Sequence, residues 1–318
     1  MKMSERQQIL KEVAGLLTTD LHMEAKKLEM QLQSTPDHDP DDLFRFGKVQ
    51  ALLGENIAES GNIDQASATL SQVLSRYPNI PHVPQFLATL ELRGPYYLEA
   101  LGTIQKSIAP RTYVEIGIWK GNSLKLVAPN TKTVGIDPKP LYDTTSLPCG
   151  HKVVSSTSDE YFAGRQIGDD LNGLPVELSF IDGMHLFEYA LRDFINLEKH
   201  AAPEGLILVH DCYPLTAFTA QRKRQSGFWS GDVWKLVVCL KKYRPDLIVE
   251  ALPCPPTGLA AISRLNPSSV ILGTTYETIV EEFIDMDFAA IENRKVEKLN
   301  LLEPAELKDK WYFRRAVQ

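Results

Sequence analysis

The sequence predicts an α/β protein, a doubly wound and mostly parallel sheet closed by an antiparallel hairpin, with an all-α region before it. Three observations carry that expectation. Up to about residue 93 the apolar residues recur at helical spacing and glycines are few. Beyond it, short apolar runs alternate with helical stretches, as strands buried on both faces and joined by helices do. The last two runs are joined only by "PCPPTG", too short for a crossover helix, so they pair antiparallel at one end of the sheet.

In chain order, the helical region (1–93) opens with Ile9, Val13, Leu16 and Leu17 on one face and is broken by the turn-rich "STPDHDPDD". Leu53, Gly54, Ile57, Ala66, Leu70, Val73 and Pro78 fall at the offsets of one tetratricopeptide repeat. A lone repeat cannot bury its own face. Two readings follow: a bundle that packs on the next domain, or a module for homodimerisation or docking a protein partner. The α/β domain (94–267) contains the runs "TYVEIGI", "TVGID", "HKVVSS", "LSFID", "LILVHD", "LIVEAL" and "LAAISRL". Residues 268–318 read as a helical extension with a polar tail carrying Trp311 and Tyr312.

Composition narrows the function classes. The 318 residues are 43% hydrophobic and carry a net charge of −7, so the summed field does not attract phosphate backbones and a nucleic-acid partner is disfavoured. Cys149, Cys212, Cys239 and Cys254 show no zinc or disulfide spacing and read as reduced thiols in a cytoplasmic setting. No segment approaches the roughly 20 apolar residues needed to insert in a bilayer.

The first strand delivers "VEIGIWKGNS". Gly117 and Gly121 let the backbone approach a ligand, and Ser123 is expected to open a helix whose free amides face it. The spacing is not that of a dinucleotide site, and Trp119 and Lys120 crowd any pyrophosphate, so a nucleoside without phosphates fits better. Asp137 ends the second strand 22 residues after Glu115, where a carboxylate accepts from ribose hydroxyls. The fourth strand releases Asp182, Gly183 and His185, and the fifth His210 and Asp211, at the sheet edge where such folds bind ligands. Asp193 sits in "YALRDFINL" and reads as a structural helix partner of Arg192 or of a neighbour. Arg222, Lys223 and Arg224, with Phe228 and Trp229, form a basic aromatic segment before a helix expected to be capped by Asp232.

These motifs resemble those of the class I S-adenosylmethionine-dependent methyltransferases, a Rossmann-like family. More narrowly the chain resembles the methyltransferase 24 branch through "VEIGIWKGNS", "TSDEYFA", "FIDGMHLFEYALRDF", "LVHDC" and "SGDVWK", over roughly 112–267. The resemblance implies that Glu115, Gly117, Gly121 and Ser123 line the methionine and ribose of the cofactor, with Asp137 on the ribose. It puts Ser158 and Asp159 beside the adenine, although "SSTSDEYF" is equally a helix start. Asp182 is expected at both cofactor and acceptor, and His185 as the base, an imidazole of ordinary pKa ~6.5 being suited to that at neutral pH.

Relatives with this fold hold Mg²⁺ through strand-end acids, which implies a metal set of Asp182, His210 and Asp211. Mg²⁺ favours an all-oxygen shell, and the imidazole in that set suits Zn²⁺, Fe²⁺ or Mn²⁺ better. The expected activity is O-methylation of a small-molecule or glycosidic hydroxyl. Competing readings are a nitrogen acceptor, another use of S-adenosylmethionine, or a scaffold acting through the helical region.

Overall fold

The computed structural model describes residues 58, 61–76, 83–143, 147–164 and 167–314. The chain divides into two compact units, residues 1–91 and 92–318. In the first, α1 (Ile63–Arg76) packs on α2 (Val83–Glu91). Ala66, Leu70, Val73 and Leu74 make the buried stripe of α1, at the helical spacing that lets one face meet a neighbour. Ile9, Val13, Leu16 and Leu17, the turn at 34–42, and the repeat positions Leu53, Gly54, Ile57 and Pro78 lie outside the described residues.

The second unit begins with α3 (Tyr97–Ile108) and continues through β1 (Thr112–Ile116), β2 (Lys132–Asp137) and β3 (His151–Ser155). Two short helices, α4 (Ser158–Gly164) and α5 (Ile167–Asp170), precede β4 (Val176–Ile181). Then come α6 (Phe187–His200), β5 (Ala201–His210), α7 (Trp234–Tyr243), β6 (Ile248–Leu252) and β7 (Leu259–Ser263). Helices α8 (Ile271–Thr274), α9 (Tyr276–Phe283) and α10 (Lys295–Leu299) follow.

The seven strands lie in the order β3-β2-β1-β4-β5-β7-β6, parallel except for β7, which is antiparallel to both neighbours. This is the Rossmann-like arrangement of class I methyltransferases, with the expected hairpin at the edge. All five residues of β1 are buried, as a central strand covered on both faces requires. The strand order reverses between β1 and β4, and the crevice outside their carboxyl ends is where ligands bind in such sheets.

Two local expectations are corrected. Ser123 does not open an α-helix: a single 3₁₀ turn, Leu124–Leu126, follows it. Pro129 stands just beyond, disfavouring helical backbone at the residue before it, and β2 begins only three residues later. Nor does Asp232 cap α7; its carboxylate accepts from the Phe187 amide at 2.8 Å and caps α6 instead.

The C-terminal segment packs on the hairpin. Buried Tyr312 donates to Glu250 at 2.9 Å and Lys310 pairs with the same carboxylate at 2.6 Å. Behind α6, the fully buried Arg244 side chain is clamped by Glu198 at 2.6 and 2.9 Å and by Asp246 at 2.8 Å. Losing the cation strands the Glu198 carboxylate in a dry site. Arg244→Met is therefore expected to lower unfolding free energy by about 3–5 kcal/mol in urea denaturation, far more than a surface ion pair.

Candidate functional site

Gly117 is the hinge of the site. It leaves β1 with φ +88°, and a Cβ there would stand 2.0 Å from the Asp182 carbonyl oxygen, so only glycine lets the β1 and β4 ends lie this close. The turn it starts is tied by Asp137, whose Oδ2 accepts from the Ile118 amide at 2.9 Å and the Trp119 amide at 2.8 Å. Oδ1 accepts from Lys139 at 2.7 Å.

Glu115 lies beneath this turn, fully buried, with Tyr113 donating to it at 2.8 Å and Ser123 also hydrogen-bonded to it. Burial lifts its carboxyl to about 8, against the pull of those two hydroxyls. Gly121 packs against the Tyr142 ring, where a Cβ would fall 2.2 Å from a ring carbon. Glu115 and Gly121 thus support the turn from below, whereas Gly117, Ile118, Trp119, Lys120 and Ser123 line the cleft.

That cleft has a volume of about 960 Å³, large enough for a nucleoside cofactor and a second small molecule. On one side Ser158 and Asp159 reach it from α4. The cap of α4 is Thr157, whose hydroxyl accepts from the Glu160 amide at 3.2 Å while Glu160 accepts in return from the Thr157 amide at 3.2 Å. Arg192 is held by Asp159, at 2.8 and 2.7 Å, and not by Asp193 as its neighbourhood in the sequence suggests. Asp193 instead turns inward, 3% exposed, and lines the cleft. Burial lifts its carboxyl to about 7, opposed by a hydrogen bond from Ser158.

At the floor, the ends of β4 and β5 bring Asp182, His185, His210 and Asp211 together. His185 Nδ1 stands 3.0 Å from Asp211 Oδ2, and His185 Nε2 3.4 Å from Asp182 Oδ1. His210 Nδ1 stands 3.2 Å from Asp182 Oδ1, its Nε2 is 3.3 Å from the Thr257 hydroxyl, and its ring stacks on Tyr97 at 4.1 Å. Burial alone would lower both imidazoles; Asp211 and Asp182 outweigh it and raise His185 to about 9 and His210 to about 10. Burial likewise opposes the charged form of Asp182, but the imidazoles hold it well below the usual carboxylate range.

His185 (φ +57°) and Asp211 (φ +59°) both adopt left-handed backbone, which is uncommon outside glycine and concentrates at functional sites. His185 is kept there by its surroundings: its ring stacks on Trp229 at 5.2 Å, and its carbonyl accepts from the Asp232 amide at 3.3 Å. Gly231 must be glycine for this contact, because a Cβ would fall 1.8 Å from that carbonyl oxygen.

The Asp182, His185 and Asp211 ligand atoms lie within 4.8 Å of one another, a spacing that suits a shared metal ion. His185 Nδ1 and Asp211 Oδ2 are buried without a hydrogen-bond partner although they are close neighbours, so they are not aligned as donor and acceptor. Both residues border a cavity of about 10 Å³, about the space of one water or ion. These residues fit a cation. The set differs from the expected one in a single member: His185 takes the place of His210, which is boxed in by Tyr97, Thr257 and Asp182.

Residues 114–212 match the family model described as a methyltransferase domain. The matched residues all lie within the second unit. Among solved structures, the chain is similar to cofactor-bound Rv0187 from MTB, at 16% identity over 72% of this chain and 100% of that one, with a TM-score of 0.41. It is also similar to the O-methyltransferase TomG of Streptomyces achromogenes, solved with SAM, at 14% identity over 61% and 95% of the two chains and a TM-score of 0.40. An O-methyltransferase from Bacillus cereus in complex with SAH matches at 13% identity over 63% and 98%, TM-score 0.40. No curated protein matches the sequence.

Several cleft residues carry no sequence signal of their own. Tyr96, Tyr97, Tyr189, Pro256 and Thr257 reach it from α3, α6 and the β6–β7 turn. Arg224, Phe228 and Trp229 do so from the segment after β5, as expected, while Arg222 is spent on Glu188 at 2.7 Å and Asp232 at 2.7 Å. The four cysteines are free, three of them buried. Among the described residues no helix is long and apolar enough to cross a membrane.

The ionised cluster sets a pH dependence. Because the folded values of His185 and His210 exceed the ordinary imidazole pKa of about 6.5, the folded state keeps protons that the unfolded chain gives up. That stabilisation is complete below pH ~6.5 and is lost as pH rises through the folded values of about 9 and about 10. Urea denaturation of cation-free protein is expected to show stability falling steadily over that interval, and falling less in His210→Gln.

Proposed function

We propose that the chain is an S-adenosylmethionine-dependent methyltransferase acting on a hydroxyl of a small molecule or glycoside, assisted by a divalent cation held by Asp182, His185 and Asp211. The observation that carries this is the joining, in one cleft, of a nucleoside-sized site at the β1–β2 ends and the Asp–His–Asp group at the β4–β5 ends.

S-adenosylmethionine, when bound, supplies an electrophilic methyl group. In this reading Asp137, at the end of β2, accepts from the ribose hydroxyls, and Ser158 and Asp159 lie beside the base; that all three line the cleft supports it. Transfer is an in-line displacement, so the protein's main task is to fix the acceptor oxygen on the line of the sulfur–methyl bond. Tyr97, Phe228 and Trp229 offer flat faces that suit a sugar or aromatic ring. Asp182, kept ionised by its imidazole neighbours, accepts a hydrogen bond from the acceptor hydroxyl and points an oxygen lone pair at the methyl group; as the sulfur–methyl bond breaks and the oxygen–methyl bond forms, the hydroxyl proton passes to this carboxylate and S-adenosylhomocysteine leaves.

A cation at the Asp–His–Asp group would lower the pKa of an acceptor hydroxyl and anchor its oxygen. The mixed nitrogen and oxygen set suits Mn²⁺ better than Mg²⁺. The two ring nitrogens of His185 face Asp182 and Asp211, the other members of the cation group, which suits the residue better as a ligand than as the base.

Calorimetry with S-adenosylmethionine tests the reading. Wild type is expected to bind, and Asp137→Ala to bind at least about 10-fold more weakly through loss of charged hydrogen bonds. Equal affinity would place the cofactor elsewhere. Incubation with a library of hydroxylated acceptors and Mn²⁺ is expected to release S-adenosylhomocysteine, with Asp182→Ala inactive. Because His185 must shed its proton to ligate, Mn²⁺ affinity is expected to rise with pH, by roughly 10-fold per unit, up to the imidazole's value of about 9. A pH-independent affinity would remove His185 from the ligand set.

A further inference from the structure

Arg224 is a cation at the rim of the cleft that the fold does not spend on an acid. Its basic neighbours in the segment after β5 are employed differently. Arg222 is paired with Glu188 and with Asp232, at 2.7 Å each, and Lys235 in the first turn of α7 pairs with Asp232 at 3.0 Å. Lys223 is exposed and does not line the cleft. Arg224 does line it, and among the described residues no acid pairs with it.

Its guanidinium is nevertheless held in place. Nε donates to the Ser226 carbonyl at 3.2 Å and Nη2 to the Gly227 carbonyl at 3.4 Å, which engages one side of the planar fork. The Nη1 hydrogens and the second hydrogen on Nη2, at the outer end of the fork, meet no acceptor among the described residues. The loop beneath is fixed by Ser226, which donates to the Phe228 carbonyl at 2.5 Å, and by the Trp229 indole, which donates to the Gln221 carbonyl at 2.5 Å. A planar fork set in advance with its end open matches a carboxylate, which accepts two parallel hydrogen bonds.

Trp229 relates this fork to the floor of the cleft. Its ring stacks on His185 at 5.2 Å and has the Arg224 guanidinium over it at 6.0 Å. The guanidinium thus lies no farther from the His185 ring than those two spacings laid end to end. A hydroxyl at the Asp–His–Asp group and an anion at Arg224 can therefore belong to one small molecule. The cleft acids do not compete for the fork: backbone amides engage Asp137, Arg192 engages Asp159, and the imidazoles engage Asp182 and Asp211. The other cation of the lining, Lys120, belongs to the turn after β1, with its Nζ over the Trp119 ring at 4.5 Å.

We infer that the acceptor is a hydroxylated aryl or sugar acid, its carboxylate held by Arg224 while its hydroxyl sits at the cation group. This rests on the reading of the chain as an S-adenosylmethionine-dependent O-methyltransferase. Arg224 holds the far end of the acceptor and touches no reacting atom, so it determines which hydroxylated molecules are taken and in what pose. One fork answers one negative charge, which favours a carboxylate over a phosphate dianion.

The test is calorimetry on the full chain loaded with S-adenosylhomocysteine and Mn²⁺. The titrants are para-hydroxybenzoate, para-hydroxyphenylpropionate and phenyl glucuronide, each beside its primary amide, and para-hydroxyphenyl phosphate. At least one acid is expected to bind wild type roughly 10- to 100-fold more tightly than its amide, as a charge-assisted bidentate pair provides. In Arg224→Gln that preference is expected to shrink by at least about 10-fold, with S-adenosylhomocysteine affinity unchanged. Lys223→Gln makes the same charge change one residue away and is expected to keep the preference. Whether an aryl acid or the glucuronide leads tells the two sources of the carboxylate apart. No acid binding more tightly than its amide, a preference that survives Arg224→Gln, or an equal loss in Lys223→Gln would each overturn the assignment. Binding of the phosphate ahead of every acid would overturn the carboxylate class. If S-adenosylhomocysteine itself does not bind, the cofactor reading falls; if it binds and the acids show no preference, only the role of Arg224 does.

Discussion

Two carboxylates that end adjacent parallel strands cannot share a dry crevice unless positive charge lies between them, and the rest of this site is arranged around that constraint. Asp182 and Asp211 are close enough to repel strongly at low dielectric. His185 and His210 supply the balancing charge, which is why their pKa values rise in spite of burial. A divalent ion at the proposed cation group would answer the same electrostatic demand more fully.

Holding an imidazole in left-handed backbone between two acids needs support from outside the crevice. The support comes from the segment after β5, through Trp229 against the ring and Gly231 against the carbonyl. Asp232 joins three structures at once: it caps α6, pairs with Arg222 and pairs with Lys235 at 3.0 Å. Tyr97 does the corresponding work for His210 from the opposite wall.

Much of this was legible in the residues themselves. The alternation of apolar runs gave each strand of the sheet, and the short "PCPPTG" link gave the antiparallel edge. Strand-end acids gave the floor of the site, because parallel strands deliver their next residues to one edge whatever else happens. The helix expected at Ser123 was overruled by the shortness of the link to β2, and the cap on α7 by a longer-range partner, since Asp232 finds the Phe187 amide 45 residues away in sequence. Arg192 and Asp193 are adjacent, and helical geometry sends adjacent side chains in different directions; sequence proximity said nothing about which acid the arginine would reach. Tyr97 and Thr257 enter the site only through tertiary packing, so no spacing rule pointed to them.

The threefold engagement of Asp232 also decides which rim of the cleft can yield. Swinging the Trp229 segment outward would uncap a helix and break the Asp232 pairs with Arg222 and Lys235 in the same motion, so that wall behaves as part of the frame. The opposite rim carries Trp119, 60% exposed, on a turn tied down by the amides that reach Asp137. A guest must therefore match the shape of a wall that does not give way.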